Sequence, residues 1–309
     1  MRACVDIGGT KVAVSLALPG NDTLMARQSA PTAKTGDNDA VARQVLALID
    51  AACGATGVSS SAIESVGVSS AGPFVLNAGC VELATPNICG GLAGPARGLP
   101  NDWMTAVIEA PLRQRFARVR VENDAVAALE AERRWGALKG LDHCAYVTWS
   151  TGVGVGLCVD GHPLRGKNGN AGHAGHTFVS DDDNQDALCG CGNVGDVEGL
   201  VAGNSIARRF GRSAEDLFKA AVAGEAEAVR ITDALCRVMG RMLYNLVATL
   251  DLQAISLGGS VFWHNRDFLL TRLQAHLDGH LAPLTRGVRL HAAGLGDKVG
   301  DYAALALVD

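Results

Sequence analysis

The sequence predicts an α/β protein built from two similar halves. Strand-like and helix-like apolar patterns alternate along all 309 residues. A strand–glycine turn–strand unit occurs twice, once near the start and once near residue 150. No long linker or low-complexity tract interrupts the alternation. At roughly 100–200 residues per domain, the length suits two domains, each with its own core. The boundary is expected near residues 117–121.

Taken in order, Ala3–Ile7 and Val12–Leu18 are apolar runs joined by Gly8-Gly9-Thr10-Lys11, a hairpin signal. Asn38–Cys53 reads as a helix, because Val41, Val45, Leu48 and Ile49 recur at helical spacing. Asn38 is expected to cap it and Gly54 to end it. Val66–Ser69 and Val119–Glu122 read as short strands, with Asp102–Phe116 between them as a helix bent or divided by its proline. Asn123–Trp135 reads as a helix ending at Gly136. The opening pattern then returns. Cys144–Trp149 and Val155–Val159 flank the glycine-rich turn Ser150–Gly154. From Asp160 to Gly203 there is no clear period but many Gly, Asn, Asp, His and Cys residues, and irregular segments of that length are usually functional. Ala226–Leu250 is a long helix whose stripe of Leu235, Met239, Met242, Leu246 and Leu250 reads as core. A strand at Ala254–Leu257 ends in Gly258-Gly259-Ser260, another helix and the strand Val288–Ala292 follow, and Asp301–Val308 closes the chain as a helix. Ligands of such a fold are expected at loops beyond strand ends.

Composition narrows the class. A formal net charge of −5 argues against a dedicated nucleic-acid binder. No apolar run approaches the ~18–20 residues that span a bilayer. The opening MRACVDIGGTK lacks the regions of a signal peptide. Nine cysteines, an odd number scattered through a large chain, suit reduced thiols in a cytosol. The expectation is a cytoplasmic protein without nucleic-acid or membrane partners.

Two motif matches fail on context. Gly161–Asn168 resembles a Walker A loop, but Asn168 replaces the magnesium-binding Ser/Thr and no helix pattern follows. Gly190–Gly195 matches GxGxxG, yet an acidic stretch precedes it where a strand is required. Asp6-Ile7-Gly8-Gly9-Thr10-Lys11 is stronger: a buried strand delivers a carboxylate into a turn whose N–H groups and hydroxyl suit phosphate oxygens. The aspartate there can hold magnesium through water. An ordinary hairpin with a capping Asp fits equally well. Ser150–Gly154 supplies a second loop of the same chemistry, so the pair implies a nucleotide held in a cleft between two domains. In Glu122-Asn123-Asp124, Asn123 or Asp124 can be a helix cap, or one carboxylate can be a base. His176, Cys189 and Cys191 are zinc-type ligands, with Asp196 or water as a fourth. Spacing alone fits reduced cysteines and a hydrogen-bonded histidine just as well. The zinc-deaminase pattern is absent.

Together these segments resemble the ROK family of sugar kinases, repressors and related proteins, along essentially the whole chain. Asp6–Lys11 resembles the first phosphate loop, and Gly67–Pro73 with Pro86-Asn87 resembles the sugar-contacting loops. Asn123-Asp124 looks like the catalytic pair and Ser150–Gly154 like the second phosphate loop. Gly175-His176 with Cys189–Glu198 is similar to the zinc segment, and Leu257–Ser260 to the glycine pair near adenosine. The resemblance implies the actin-like, ribonuclease-H-like pair of domains around a cleft: 1–118 with a closing helix at about 297–309, and 119–296. It also implies that Asp124 accepts the proton of a sugar's 6-hydroxyl as that oxygen attacks the γ-phosphate of ATP. Gly72, Asn87, Asn123, His173, His176 and Glu198 would contact sugar. Asp6, Gly8, Gly9, Thr10, Lys11, Thr151, Gly152, Gly258 and Gly259 would serve ATP and Mg²⁺, and domain closure would exclude water. Zn²⁺ would take His176, Cys189, Cys191 and Asp196. A homodimer is implied as well.

Two departures from the family pattern stand out. Asp196 occupies the place of a third cysteine, and exchanging a thiolate for carboxylate weakens or abolishes a zinc site. His173 stands where glucokinase-like members carry the glutamate of Glu-x-Gly-His. N-acetylmannosamine kinases of the family have His-x-Gly-His, so the resemblance favours an N-acyl-hexosamine over glucose. The family's sugar-sensing repressors add an N-terminal helix-turn-helix; with the first strand at residue 3, none is expected here. A sugar-binding relative without catalysis is disfavoured by Asp6, Asp124 and the glycine loops.

Overall fold

The computed structural model describes residues 1–93, 97–180 and 185–308. The chain divides into two compact units, one of residues Met1–Ala131, Arg165–Ala171 and Gly300–Asp309, the other of Glu132–Leu164 and Gly172–Val299.

In the first unit, β1 (Arg2–Ile7), β2 (Lys11–Ala17), β3 (Met25–Pro31), β4 (Ser65–Ser70) and β8 (Arg118–Asn123) form a sheet ordered β3-β2-β1-β4-β8. The glycine turn makes β1 and β2 an antiparallel hairpin, and β4 and β8 then add parallel to β1. Near-continuous apolar runs such as Ala3–Val5 are what strands covered on both faces require. The helix Ala40–Thr56 covers the sheet with Val41, Val45 and Ile49, all fully buried and each contributing about 1.5–3 kcal/mol. Gly67 in β4 has no side chain, which lets the carbonyl of Ala304 and the side chain of Val308 approach it. A small second sheet, β5 (Phe74–Asn77), β6 (Cys80–Leu83) and β7 (Ala106–Val107), is antiparallel.

The second unit repeats the topology. Strands β9 (Cys144–Trp149), β10 (Val153–Val159), β11 (His162–Pro163), β12 (Ala254–Gly258) and β13 (Arg289–Ala292) are ordered β11-β10-β9-β12-β13. As in the first unit, a central hairpin is followed by two parallel strands. The duplicated architecture expected from the two glycine-turn units is therefore present. The helix Ala226–Leu250 has the expected limits, with Leu235, Met239, Met242 and Leu246 in the core. Glu132, fully buried, accepts hydrogen bonds from the N–H groups of Ala137 (3.0 Å), Gly294 (2.9 Å) and Leu295 (2.8 Å) and from the Ser256 hydroxyl (3.0 Å). Its carboxylate thereby joins three segments distant in sequence. Among the described residues, no helix is long and apolar enough to cross a membrane.

Several expected elements are corrected. The helix expected at Asp102–Phe116 is confined to Glu109–Arg115, preceded by β7. Its proline, Pro111, lies in the first turn, where a missing N–H is harmless, so it starts the helix instead of bending it. The helix expected at Asn38–Cys53 runs from Ala40 to Thr56. Asp39 precedes it without a side-chain cap, and Gly57 at φ 67° closes it in place of Gly54. Asn123 is the last residue of β8, so its helix begins at Asp124. Val153 and Gly154 belong to β10 and not to the turn. The closing helix is Val299–Leu305. Strands β3, β5 and β6 had no counterpart in the sequence reading.

Candidate active site

The first unit gathers its candidates at the carboxyl ends of three neighbouring parallel strands, where such sheets expose loops. Pairing of β1, β4 and β8 places Asp6, Ser69 and Glu122 in one row, and Ile7, Ser70 and Asn123 in the next. Asp6, next to last in β1, thus lies two strands from Asn123-Asp124. The turn after it is tied by the Gly8 N–H to the Lys11 carbonyl (2.9 Å) and by the Thr32 hydroxyl to the Gly8 carbonyl (2.7 Å). Thr10 and Lys11 are exposed. A Cβ on Gly9 would lie 2.7 Å from that of Asn87, so the first glycine turn and a proposed sugar contact are neighbours because residue 9 lacks a side chain. Arg97 donates to the Asn87 side-chain oxygen.

Glu122 and Asp124 part company in the structure. Glu122 is buried and ion-paired with both Arg120 and Arg165. Asp124 is open to solvent, with its Oδ1 2.8 Å from the Ala125 N–H, which also reaches Asn123 Oδ1 at 3.0 Å. Asn123 thus meets a free N–H of the first helical turn, as the capping reading expects, while Asp124 stays exposed. Although Asp124 is exposed, protein atoms crowded around it strip hydration and push its carboxyl up to about 6; the Ala125 N–H opposes this and the charge of Asp6 adds to it. Access and cost of charge are separate properties, and a general base uses both. Burial likewise pushes Asp6 to about 6, against Arg27 and Lys11. Among the described residues nothing donates a hydrogen bond to the Asp6 carboxylate, which suits a site for a hydrated magnesium ion.

Gly72, in a cis peptide with Pro73, leads into Phe74. Asn170 grips Phe74 at both backbone groups, Nδ2 donating to its carbonyl and Oδ1 accepting from its N–H, each at 2.7 Å. Neither this clamp nor Arg165 was recognisable in the sequence, since no spacing relates residue 74 to 170 or 122 to 165.

In the second unit three loops converge. The Ser150 hydroxyl lies 3.0 Å from that of Ser260, and the Ser150 carbonyl accepts from the Gly203 N–H at 2.8 Å. Thr151 is exposed on that turn. Gly258 faces the Tyr146 hydroxyl, and Gly259, at φ 86°, stands where a Cβ would be 2.6 Å from Thr148 Oγ1. Both glycines are sterically required. Glu198 Oε2 accepts from the Val153 N–H at 2.8 Å, and a Cβ on Gly152 would come within 2.6 Å of that oxygen. The second glycine loop and Glu198 are therefore one assembly.

His173 and His176 meet edge to face at 5.9 Å between ring centres. Burial and the neighbouring His176 lower the pKa of His173, favouring the neutral ring, and among the described residues its buried Nε2 has no hydrogen-bond partner. His176 is raised instead, chiefly by its bond to Asp196.

His176, Cys189, Cys191 and Asp196 come together, with one ligand atom from each within 4.8 Å of all the others. His176 Nδ1 is 3.4 Å from Asp196 Oδ2 and 3.5 Å from Cys189 Sγ, and Cys191 Sγ is 3.5 Å from Asp196 Oδ2. A tetrahedral Zn²⁺ with bonds of about 2.0 Å to N or O and 2.3 Å to S separates such atoms by roughly 3.3–3.6 Å. The donor set fits the ion in chemistry, and these three separations match that spacing.

With this geometry in view, the chain's similarity to known proteins carries weight. The family model described as ROK family matches residues 2–309. A glucokinase of Aeropyrum pernix is 29% identical over 98% of this chain and 95% of its own. An N-acetylmannosamine kinase of Salmonella paratyphi B is 31% identical over 83% and 82%. A ROK glucokinase from Streptomyces griseus, solved with glucose and AMPPNP, superposes with a TM-score of 0.72 at 26% identity, covering 99% of this chain and 98% of that one. The architecture is the actin-like ATPase fold of such kinases. Whole-chain agreement in sequence and in fold has one conclusion: the chain belongs to the ROK family.

Proposed function

We propose that the chain is an ATP-dependent kinase that phosphorylates the 6-hydroxyl of an N-acyl-hexosamine, with N-acetylmannosamine as preferred substrate. The observation that carries the chemistry is Asp124, an accessible but poorly hydrated carboxylate beside Asn123 at the end of β8. It accepts the proton of the sugar hydroxyl as that oxygen bonds to the γ-phosphorus of ATP and the bond to ADP breaks. An aspartate remains a modest base even at a pKa near 6, so much of the rate comes from holding hydroxyl and phosphate in line. Gly72, Asn87, Asn123, His173, His176 and Glu198 bind sugar. The turn Gly8–Lys11, Thr151-Gly152 and Gly258-Gly259 hold the nucleotide through backbone N–H groups. Asp6 would hold magnesium, which when bound would supply positive charge to the transferring phosphoryl group.

The choice of sugar rests on His173. A neutral imidazole can donate from Nε2 to an acetamido carbonyl, which a carboxylate cannot do, and Nε2 has no other partner among the described residues. Glucose is the rival substrate, favoured by the near-complete match to a glucokinase. His176, Cys189, Cys191 and Asp196 would hold a zinc ion, which would supply no chemistry to the transfer and would brace the short helix that bears Glu198. A homodimer in the cytoplasm completes the proposal, checked by sedimentation and fractionation.

The deciding experiment is a coupled ADP-release assay with N-acetylmannosamine, glucose, N-acetylglucosamine, mannose and fructose side by side. The proposal expects the highest kcat/KM for N-acetylmannosamine. A higher value for glucose refutes the His173 argument. Sugar binding without turnover of any of the five points to a sugar-sensing regulator instead.

A further inference from the structure

Asp196 has both carboxylate oxygens committed, each to a different task. Oδ2 stands in the four-residue donor set, 3.4 Å from His176 Nδ1 and 3.5 Å from Cys191 Sγ, with Asn193 Nδ2 donating to it at 3.2 Å. Oδ1 accepts the Gly199 N–H at 2.7 Å and so caps the short helix Val197–Val201. The side chain is wholly buried, so one oxygen cannot move without moving the other. Glu198 sits on that helix, inside the capped turn, with Oε2 on the Val153 N–H and Oε1 3.3 Å from Cys189 Sγ. A thiolate at position 196 could bind a metal but is a weak cap acceptor, whereas an amide or hydroxyl could cap without supplying the anionic ligand. Among these groups a carboxylate alone does both.

We infer that Asp196 links metal occupancy to the placement of Glu198: a divalent cation held through Oδ2 fixes the carboxylate whose Oδ1 anchors the helix. Asp196 is then a positioning residue. Its consequence for sugar binding rests on the reading of Glu198 given above, while the link itself does not.

The test uses the full-length protein, stripped with chelator and then loaded with Zn²⁺ or Co²⁺. Exchange of the Gly199 amide is expected to slow roughly tenfold on Zn²⁺ loading, about 1.4 kcal/mol of added protection. Asp196→Asn keeps a capping oxygen but loses the charge, so Zn²⁺ affinity in a chelator competition falls at least roughly 10–100-fold. Asp196→Cys holds Co²⁺ with an added thiolate charge-transfer band, yet its calorimetric affinity for N-acetylmannosamine drops roughly tenfold because the cap is gone. Equal Gly199 exchange with and without Zn²⁺ overturns the link, as does wild-type Zn²⁺ affinity in Asp196→Asn. Undiminished sugar affinity in Asp196→Cys overturns the role of the cap. Should Asp196→Cys fail to fold, the exchange measurement on the unaltered chain still decides. If that chain binds no sugar at all, the kinase reading fails, while the exchange and cobalt results continue to judge Asp196.

Discussion

Replacing Gly152 by alanine strikes the point where the second glycine loop meets Glu198. The new Cβ would lie 2.6 Å from Glu198 Oε2, nearer than real Cβ contacts come, and 3.3 Å from Cδ. Something must therefore shift, and the carboxylate end is the softest part. It is not free to leave, because Oε2 accepts the Val153 N–H at 2.8 Å and Oε1 faces Cys189 Sγ at 3.3 Å. Displacing it sacrifices a hydrogen bond to a charged acceptor, about 1.5–3 kcal/mol. If Glu198 binds sugar, affinity falls by roughly 10- to 150-fold. Calorimetric titration with N-acetylmannosamine in the absence of nucleotide isolates this effect from any damage to phosphate binding. Circular dichroism confirms that the fold persists. A folded Gly152→Ala protein with a sugar Kd within twofold of wild type would refute the assignment of Glu198.

Other consequences are equally concrete. Because loss of hydration raises Asp124 to about 6, the base is lost on the acid side: kcat/KM at pH 5 should be roughly a tenth of its plateau. An aspartate left near its usual value of 3.8 would keep activity almost flat to that pH, and such a profile sinks the assignment. The same shift makes ionised Asp124 unfavourable for folding above pH 6, so Asp124→Asn should raise Tm at pH 8 more than at pH 4. Gly258→Ala sets a methyl group against the Tyr146 hydroxyl, overpacking worth about 1–3 kcal/mol, and should raise KM for ATP more than KM for sugar. Equal changes in the two constants would argue against a nucleotide role for that loop. Glu132→Gln turns an amide donor toward some of four fixed donors and should lower Tm by roughly 6–12 °C, for a loss of about 3 kcal/mol. An unchanged Tm would show that the four bonds are dispensable.

The elements legible beforehand were those whose signal is local. The two hairpins declare themselves by apolar runs around glycine turns, and Ala226–Leu250 by a stripe sustained over 25 residues. The small sheet escaped notice because β7 has two residues and β5 and β6 four each, too short to show a period. Pro111 lies in the first turn instead of bending a longer helix, and a proline's effect depends on that position, which composition does not reveal. At the site, residue types and order were readable, and so was the ambiguity of Glu122 versus Asp124. The different surroundings of the two carboxylates were not, because the arginine that pairs with Glu122 is 43 residues away, at position 165. The bond from Val153 to Glu198 is likewise a product of folding, since a backbone N–H carries no mark in a sequence.

The account stands on Asp124 as the group that takes the hydroxyl proton, and turnover set against binding in Asp124→Asn tests this most directly. The amide keeps the shape and an oxygen for the Ala125 N–H but cannot accept a proton. With sugar affinity measured by calorimetry and ADP release measured at saturating substrates, the account predicts a sugar Kd within about threefold of wild type and kcat lower by roughly 10²–10⁴. A variant that binds sugar normally and still turns over within tenfold of wild type contradicts it.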